Sequence, residues 1–252
     1  MNTNEPVSAD AFHIENARKR EVWVRKRCLR QIYFDFYRRI ASRLRSGPGL
    51  TVELGSGLGT IREVLPDCIT SDLFLNAWLD RRENAYELSF ANESVCNLIL
   101  FDVWHHLQFP GTALCEFERV LRPGGRLILF EPDMGLLGRF VYSIAHHEPV
   151  EMHRPVQWFA PPGFRMDEVS NFAAQSYAYR IFVRGESCKM FVLWKTIEIQ
   201  RLASLSYFLS GGFSKPRLCP DFLYPLLQRI DRVLSRFPSI FAVRLLVVLE
   251  KR

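Results

Sequence analysis

The stretch Thr51-Val-Glu-Leu-Gly-Ser-Gly-Leu-Gly59 constrains this chain more than any other. Leu50, Val52 and Leu54 predict a short buried strand with the acid Glu53 near its end. Glycines follow at alternate positions, Gly55, Gly57 and Gly59, and Thr60–Leu65 reads as a helix. A strand that turns through glycines into a helix is a small-ligand site, because glycine accepts positive φ and lets main chain approach a ligand closely. The helix N-terminus adds unpaired N–H groups. The dinucleotide pattern Gly-x-Gly-x-x-Gly fails in both registers: counted from Gly55 its last position is Thr60, and from Gly57 it is Arg62. The phosphate-loop pattern is absent as well. A glycine turn without a ligand is the remaining alternative at this stage.

The chain around this stretch has 252 residues and is 48% hydrophobic, which suits one α/β domain with additions. The net charge of +6 is largely local: 11 Lys and Arg against three acids fall between Glu15 and Arg45. In that segment Val22, Leu29, Ile32, Tyr33, Phe36, Ile40 and Leu44 recur in steps of three, four and seven, which predicts one or two amphipathic helices. Their basic face is either a solvated face of helices packed over the fold or a contact for anionic lipid headgroups or an acidic substrate. Residues 1–49 thus read as a polar lead and a basic helical extension, and 50–252 as the main domain. The six cysteines show no Cys-x-x-Cys or metal-ligand spacing, consistent with reduced thiols in a cytoplasmic protein. The first residues lack a signal-peptide core. No run reaches the roughly 18 apolar residues of a membrane span; the nearest, Ile240–Leu249, is short and broken by Arg244.

Asp67–Leu73 reads as a second strand ending at Asp72, 19 residues after Glu53. In doubly wound folds an acid about 20 residues on holds ribose hydroxyls; a helix N-cap is the plainer role. Val95–Phe101 is an apolar run closed by Asp102, as expected of a buried parallel strand. Leu114–Leu121 reads as a helix, Pro123-Gly124-Gly125 as a sharp turn, and Leu127–Glu131 as the next strand.

The acid-x-Gly-x-Gly-x-Gly string resembles motif I of class I methyltransferases that use S-adenosylmethionine. Asn84-Ala-Tyr-Glu-Leu-Ser-Phe90 is similar to that family's Asp-Ala-x-x-Leu-Pro-Phe segment, with Asn84 for Asp and Ser89 for Pro. Val103-Trp-His-His-Leu107 resembles the His-His-Leu after its fourth strand, and Glu118-Arg-Val-Leu-Arg-Pro-Gly-Gly125 its turn before strand five. The chain is identified as similar to the type 11 methyltransferase domain over about residues 50–132. The resemblance implies a Rossmann-like, mainly parallel seven-stranded sheet with helices on both faces and one antiparallel strand, for which Val243–Leu249 is the candidate. Residues 134–218 would be a substrate cap inserted before the last helix and strand. Within them Gly135–His147 and Asp167–Tyr179 read as helices and Phe191–Leu205 as a strand region.

The cofactor implied is S-adenosyl-L-methionine. Its expected contacts are Glu53, Gly55, Ser56, Gly57 and Gly59 at the glycine turn, Asp72 at the ribose, Asn84 and Ala85 at the adenine, and Asp102 beneath the methyl group. Candidate bases are His105 or His106 beyond the fourth strand and His146, His147 and Glu148 in the cap; Glu131 is a further acceptor-side candidate. Adjacent histidines on a helix point about 100° apart, so the spacing is not a metal signature and no metal ligand is expected. Glu131-Pro132, His146-His-Glu-Pro149, Ser210-Gly-Gly-Phe-Ser214 and the closing Val-Leu-Glu-Lys are loosely similar to bacterial surface-polysaccharide methyltransferases. The expected acceptor is therefore a small molecule or glycan, methylated on oxygen, with peripheral membrane contact through residues 15–45 as an open reading. RNA or protein methylation, or a non-catalytic binding role, is the alternative. Nucleic-acid base methylation is disfavoured because Asp102-Val-Trp-His105 stands where such enzymes carry Asn/Asp-Pro-Pro-aromatic.

Overall fold

The computed structural model describes residues 9–145, 148–165, 172–186 and 188–252. Two helices, α1 (Ala9–Arg25) and α2 (Arg27–Ala41), precede β1 (Leu50–Leu54), β2 (Ile69–Asp72), the two-residue β3 (Arg81–Arg82) and β4 (Val95–Phe101). Then come α3 (Pro110–Val120), β5 (Leu121–Pro132), α4 (Leu136–Ala145), β6 (Trp194–Ala203), α5 (Leu205–Ser210), α6 (Tyr224–Leu234), α7 (Pro238–Phe241) and β7 (Ala242–Lys251). The strands form one seven-stranded sheet in the order β3-β2-β1-β4-β5-β7-β6. β1 to β5 pair in parallel, and β7 runs antiparallel to both of its neighbours, β5 and β6. The sheet is therefore mixed, and the antiparallel strand is the one expected from the sequence.

The period-two side-chain alternation of strands explains why both faces are apolar. On one face Leu98, Leu100, Leu127, Leu129, Leu245 and Val247 pack with Ala113, Leu114 and Phe117 of α3. On the other, Ile99, Phe101, Ile128, Phe130, Leu246 and Val248 meet Leu29, Ile32, Tyr33, Phe36 and Ile40 of α2. The apolar stripe of residues 15–45 is thus spent on the sheet rather than held for a membrane. The ring centroids of Phe36 and Phe130 lie 4.8 Å apart, and each buried ring of this kind contributes about 2–3 kcal/mol. Part of the basic face is also used internally. Lys26 Nζ donates to the carbonyls of Ser210, Gly212 and Lys215, and Arg43 pairs with Glu198.

Three expectations need correction. The helix read at Thr60–Leu65 is a single 3-10 turn, Thr60–Glu63, because Pro66 cannot continue it and disfavours helical geometry in the residue before it. The strand read at Leu127–Glu131 begins at Leu121, and the Pro-Gly-Gly step lies at a shift of register against β4. Residues 134–218 are not all inserted cap, since β6 is the edge strand of the sheet itself. Of Gly135–His147, α4 accounts for the part up to Ala145, and His146 and His147 lie outside the described residues. The start of Asp167–Tyr179 lies outside them too; Phe172–Ala174 is irregular, and a π-type turn runs from Tyr179 to Val183.

Candidate active site

All the expected site residues that are described lie at the C-terminal end of the parallel strands, where open α/β sheets bind ligands. The glycine turn leaves β1 with Gly55, Gly57 and Gly59 at φ 67°, 52° and 65°. Glycine is demanded at Gly55 twice over: a Cβ there would sit 2.3 Å from Val103 Cγ2. Ser56 ties the turn to β2, its Oγ accepting from the Ser71 amide at 3.1 Å. Asp72 at the tip of β2 accepts from the amides of Gly57 at 2.9 Å and Leu73 at 2.7 Å. Burial still pushes its carboxyl up to about 6 against those bonds. Glu53 is buried, and burial together with the Asp72 charge raises its carboxyl to about 8.

Helix α1 lies across this turn, and the sequence reading gave it no part in the site. Phe12 meets Phe74 with centroids 5.3 Å apart, Arg20 sits over the Trp78 ring at 4.7 Å, and Trp23 Nε1 donates to Glu63 at 3.0 Å. Asn16 is buried with its Oδ1 3.7 Å from where a Gly57 Cβ would be. Asn16 Nδ2 and Glu53 Oε2 are both buried and without a hydrogen-bond partner. A donor and an acceptor orphaned at one glycine turn are costly unless a polar ligand satisfies them. They suit the amino-acid end of S-adenosylmethionine, whose ammonium and carboxylate need an acceptor and a donor.

The expected adenine segment is held from behind. Arg119 of α3 donates to the carbonyls of Leu88 at 2.8 Å and Phe90 at 2.9 Å, and Glu116 accepts from the Leu88 amide at 3.0 Å. The motif around Pro-Gly-Gly therefore does more than turn the chain. Asn84 Oδ1 accepts from the Tyr86 amide at 3.0 Å, so its carbonyl shapes the loop, and Ala85 packs on the core.

Asp102 follows β4 at φ 55°, an uncommon left-handed position for a non-glycine residue. Arg244 of β7 donates to its Oδ1. Arg244 is buried, with the rings of Tyr207, Phe36, Phe101 and Phe130 around its guanidinium. The signal for it was a lone charge in an apolar strand.

The acceptor-side candidates separate. Glu131 is fully buried; its Oε1 accepts from the amides of Val103 and Trp104 at 2.8 and 2.7 Å, and its Oε2 meets His105 Nδ1 at 2.6 Å. The expectation that it binds the acceptor is corrected, since it caps the 3-10 turn Trp104–His106 and orients His105. His105 is enclosed. Burial opposes its charge, yet Glu131 and Glu148 outweigh burial and its pKa is pushed up to about 10. The ring of His106 is 42% exposed, with Nδ1 against the Phe172 carbonyl at 3.0 Å. Its pKa is lowered by the protein packed around it and by the adjacent His105. Glu148 reaches the same spot, 3.5 Å from His105 Nε2 and 3.7 Å from His106 Nε2.

A Rossmann-like sheet with an acid-and-glycine turn and a strand-tip acid has the architecture of the doubly wound folds that bind nucleosides at their strand tips. Residues 52–129 match the family model described as a methyltransferase domain. The chain carries a class I methyltransferase domain, and it is an S-adenosylmethionine-dependent methyltransferase. A search of curated proteins found no match. Among solved structures the chain is similar to an S-adenosylmethionine-dependent methyltransferase from Thermotoga maritima, at 16% identity and TM-score 0.53, covering 96% of this chain and 100% of that one. It is also similar to the methyltransferase complex with the Trm112 activator of Haloferax volcanii, at 16% identity and TM-score 0.50, covering 95% and 97%. A third likeness is to geranyl diphosphate C-methyltransferase of Streptomyces coelicolor, solved with Mg2+, geranyl diphosphate and S-adenosylhomocysteine, at 14% identity and TM-score 0.50, covering 86% and 79%. These likenesses speak for the fold.

Proposed function

We propose that this methyltransferase acts on a hydroxyl of a small molecule or glycan. The supporting observation is the half-exposed His106 beside Glu148, just beyond the strand tip that carries Asp102. A hydroxyl acceptor has a pKa well above neutral, so it must lose a proton as it reacts, unlike an already nucleophilic amine or thiolate. The lowered pKa of His106 keeps its imidazole neutral at pH 7, able to take that proton. Glu131 and Arg244 do not react; they hold the turn and Asp102 in place. S-adenosylmethionine, when bound, supplies a methyl group on a sulfonium, a good leaving group. Glu53, Asn16 and the glycine turn would hold its amino-acid end, Asp72 its ribose, and the Asn84–Ala85 loop its adenine.

Peripheral contact with an anionic surface is kept for α1 alone. Ile14 and Val24 are exposed there, with Arg18 and Arg25 exposed on the same helix. A lipid-linked sugar is the acceptor class that suits such a contact.

The test is a screen of glycosides, phenols and lipid-linked sugars for S-adenosylhomocysteine release, with His106→Ala beside the wild type. Turnover on hydroxyl acceptors, reduced about 10²–10⁴-fold in the variant, supports the reading. Turnover confined to amines, thiols or RNA contradicts it.

A further inference from the structure

The cluster of His105, His106 and Glu148 has a geometry that proton transfer alone does not require. His105 and His106 sit on one 3-10 turn with ring centroids 4.1 Å apart and planes at 40°, so the divergence expected of neighbours on an α-helix is absent. Phe172 O can only accept, so His106 Nδ1 carries the hydrogen and its neutral ring presents a bare Nε2. His105 Nδ1 is likewise bound to the Glu131 carboxylate. Both rings therefore turn Nε2 toward Glu148, and Glu148 itself accepts from Gln175 Nε2. The ligand atoms of the three residues lie within 4.8 Å of one another.

This is how proteins prepare metal-binding histidines: the second ring nitrogen is fixed by a carboxylate or a carbonyl, and the ligating carboxylate is hydrogen-bonded in turn. The separations agree. Ligands about 2.1 Å from one ion at tetrahedral angles lie about 3.4 Å apart. His105 Nε2 lies 3.5 Å from Glu148 Oε2 and His106 Nε2 3.7 Å from Glu148 Oε1. Each ring nitrogen thus faces one carboxylate oxygen at more than the roughly 2.7–2.9 Å of a charge-assisted hydrogen bond, close to that spacing. A second grouping, Asp102, His105 and Glu131, does not qualify, because its oxygens already serve Arg244 and main-chain amides.

We propose that His105 Nε2, His106 Nε2 and Glu148 bind one divalent transition-metal ion of the zinc, cobalt or iron(II) class. Two imidazoles and one carboxylate select such ions over magnesium or calcium, which prefer oxygen alone. Ligation needs bare Nε2 atoms, so metal uptake would release protons from the cluster. Three protein ligands leave a coordination position open. The inference rests on the hydroxyl reading above and deepens it: an acceptor hydroxyl in that position would be acidified by the ion and release its proton to solvent. The hydroxyl acceptor of that reading is kept; with the ion bound His106 is a ligand, and its role as base belongs to the metal-free protein.

The experiment is a cobalt titration of tag-free, chelator-stripped full-length protein, followed by visible absorption. His106→Ala and Glu148→Gln are titrated beside it, and circular dichroism and S-adenosylhomocysteine binding are recorded on the same samples. One equivalent of Co2+ with ligand-field bands is expected, weakened at least about 10- to 100-fold in each variant while the circular dichroism is unchanged. No stoichiometric uptake of Co2+ or Zn2+, or uptake equal in wild type and both variants, would overturn the site and leave the cluster as an ion pair. Loss of S-adenosylhomocysteine binding with cobalt uptake intact would count against the transferase site instead.

Discussion

Arg244, from the antiparallel strand β7, donates to the carboxylate of Asp102 at the tip of β4, 2.5 Å away. The two partners are unequal, since Arg244 is 3% exposed and Asp102 31%. Removing one partner of a buried pair costs about 3–5 kcal/mol when the survivor stays buried. Asp102→Ala strands a guanidinium among aromatic rings and should cost that much. Arg244→Met leaves a carboxylate that water can reach and should cost clearly less. Urea unfolding of the two variants gives the order directly.

With the cofactor's ammonium held by Glu53 as proposed, binding should depend on pH. Its carboxyl is raised to about 8 in the folded protein, above its unfolded value. Its stabilising effect is therefore fully present below the unfolded pKa and is lost as pH rises toward 8. A cationic ligand prefers the ionised carboxylate. S-adenosylmethionine should thus bind more tightly from pH 6 to pH 8, releasing a proton on binding. Calorimetry in buffers of different ionisation enthalpy measures that proton, and Glu53→Gln should abolish both the trend and the release.

Helix α1 should set how fast the cofactor leaves. It buries only Asn16, Val22 and Trp23, so it is lightly attached. Phe12→Ala with Arg20→Ala removes its ring contact with Phe74 and its charge over Trp78. Exposed contacts of this kind contribute about 0.5–1 kcal/mol each, so losing both should speed S-adenosylhomocysteine dissociation about 5- to 30-fold. Stopped-flow displacement measures the rate, and hydrogen exchange should rise in α1 while the sheet is unchanged.

Arg119 should matter to cofactor binding through the loop it supports, donating to the Leu88 and Phe90 carbonyls. Arg119→Ala frees the carbonyls of Leu88 and Phe90 and should cost about 1–3 kcal/mol. Cofactor affinity should fall with it, because the loop from Asn84 loses its support. The comparison is thermal unfolding against calorimetry on the same variant.

Much of this was legible in the sequence because it rests on local chemistry. Alternate glycines report positive φ at Gly55, Gly57 and Gly59, and a continuous apolar run reports a strand covered on both faces, as β4 is. The i, i+3, i+4 stripe of residues 15–45 reports burial but not against what; α2 takes one face of the sheet, which the sequence pattern alone does not specify. Asn16, Arg119 and Arg244 act on residues 41, 31 and 142 positions away, at Gly57, Leu88 and Asp102. Spacing in one chain holds no record of such pairings. Glu131 looked like a free acid at a strand tip, and only the fold turns three amides and a histidine onto it.

The central claim is tested most directly by calorimetric titration of the wild type with S-adenosylmethionine and S-adenosylhomocysteine beside Gly57→Arg. Gly57 has φ 52° and faces Asn16, so an arginine there is strained and fills the space against α1. Micromolar binding of both ligands by the wild type, lost in a folded Gly57→Arg, is the predicted result. A folded wild type that binds neither ligand, or a variant that binds as the wild type does, would contradict the assignment of the cofactor to this turn.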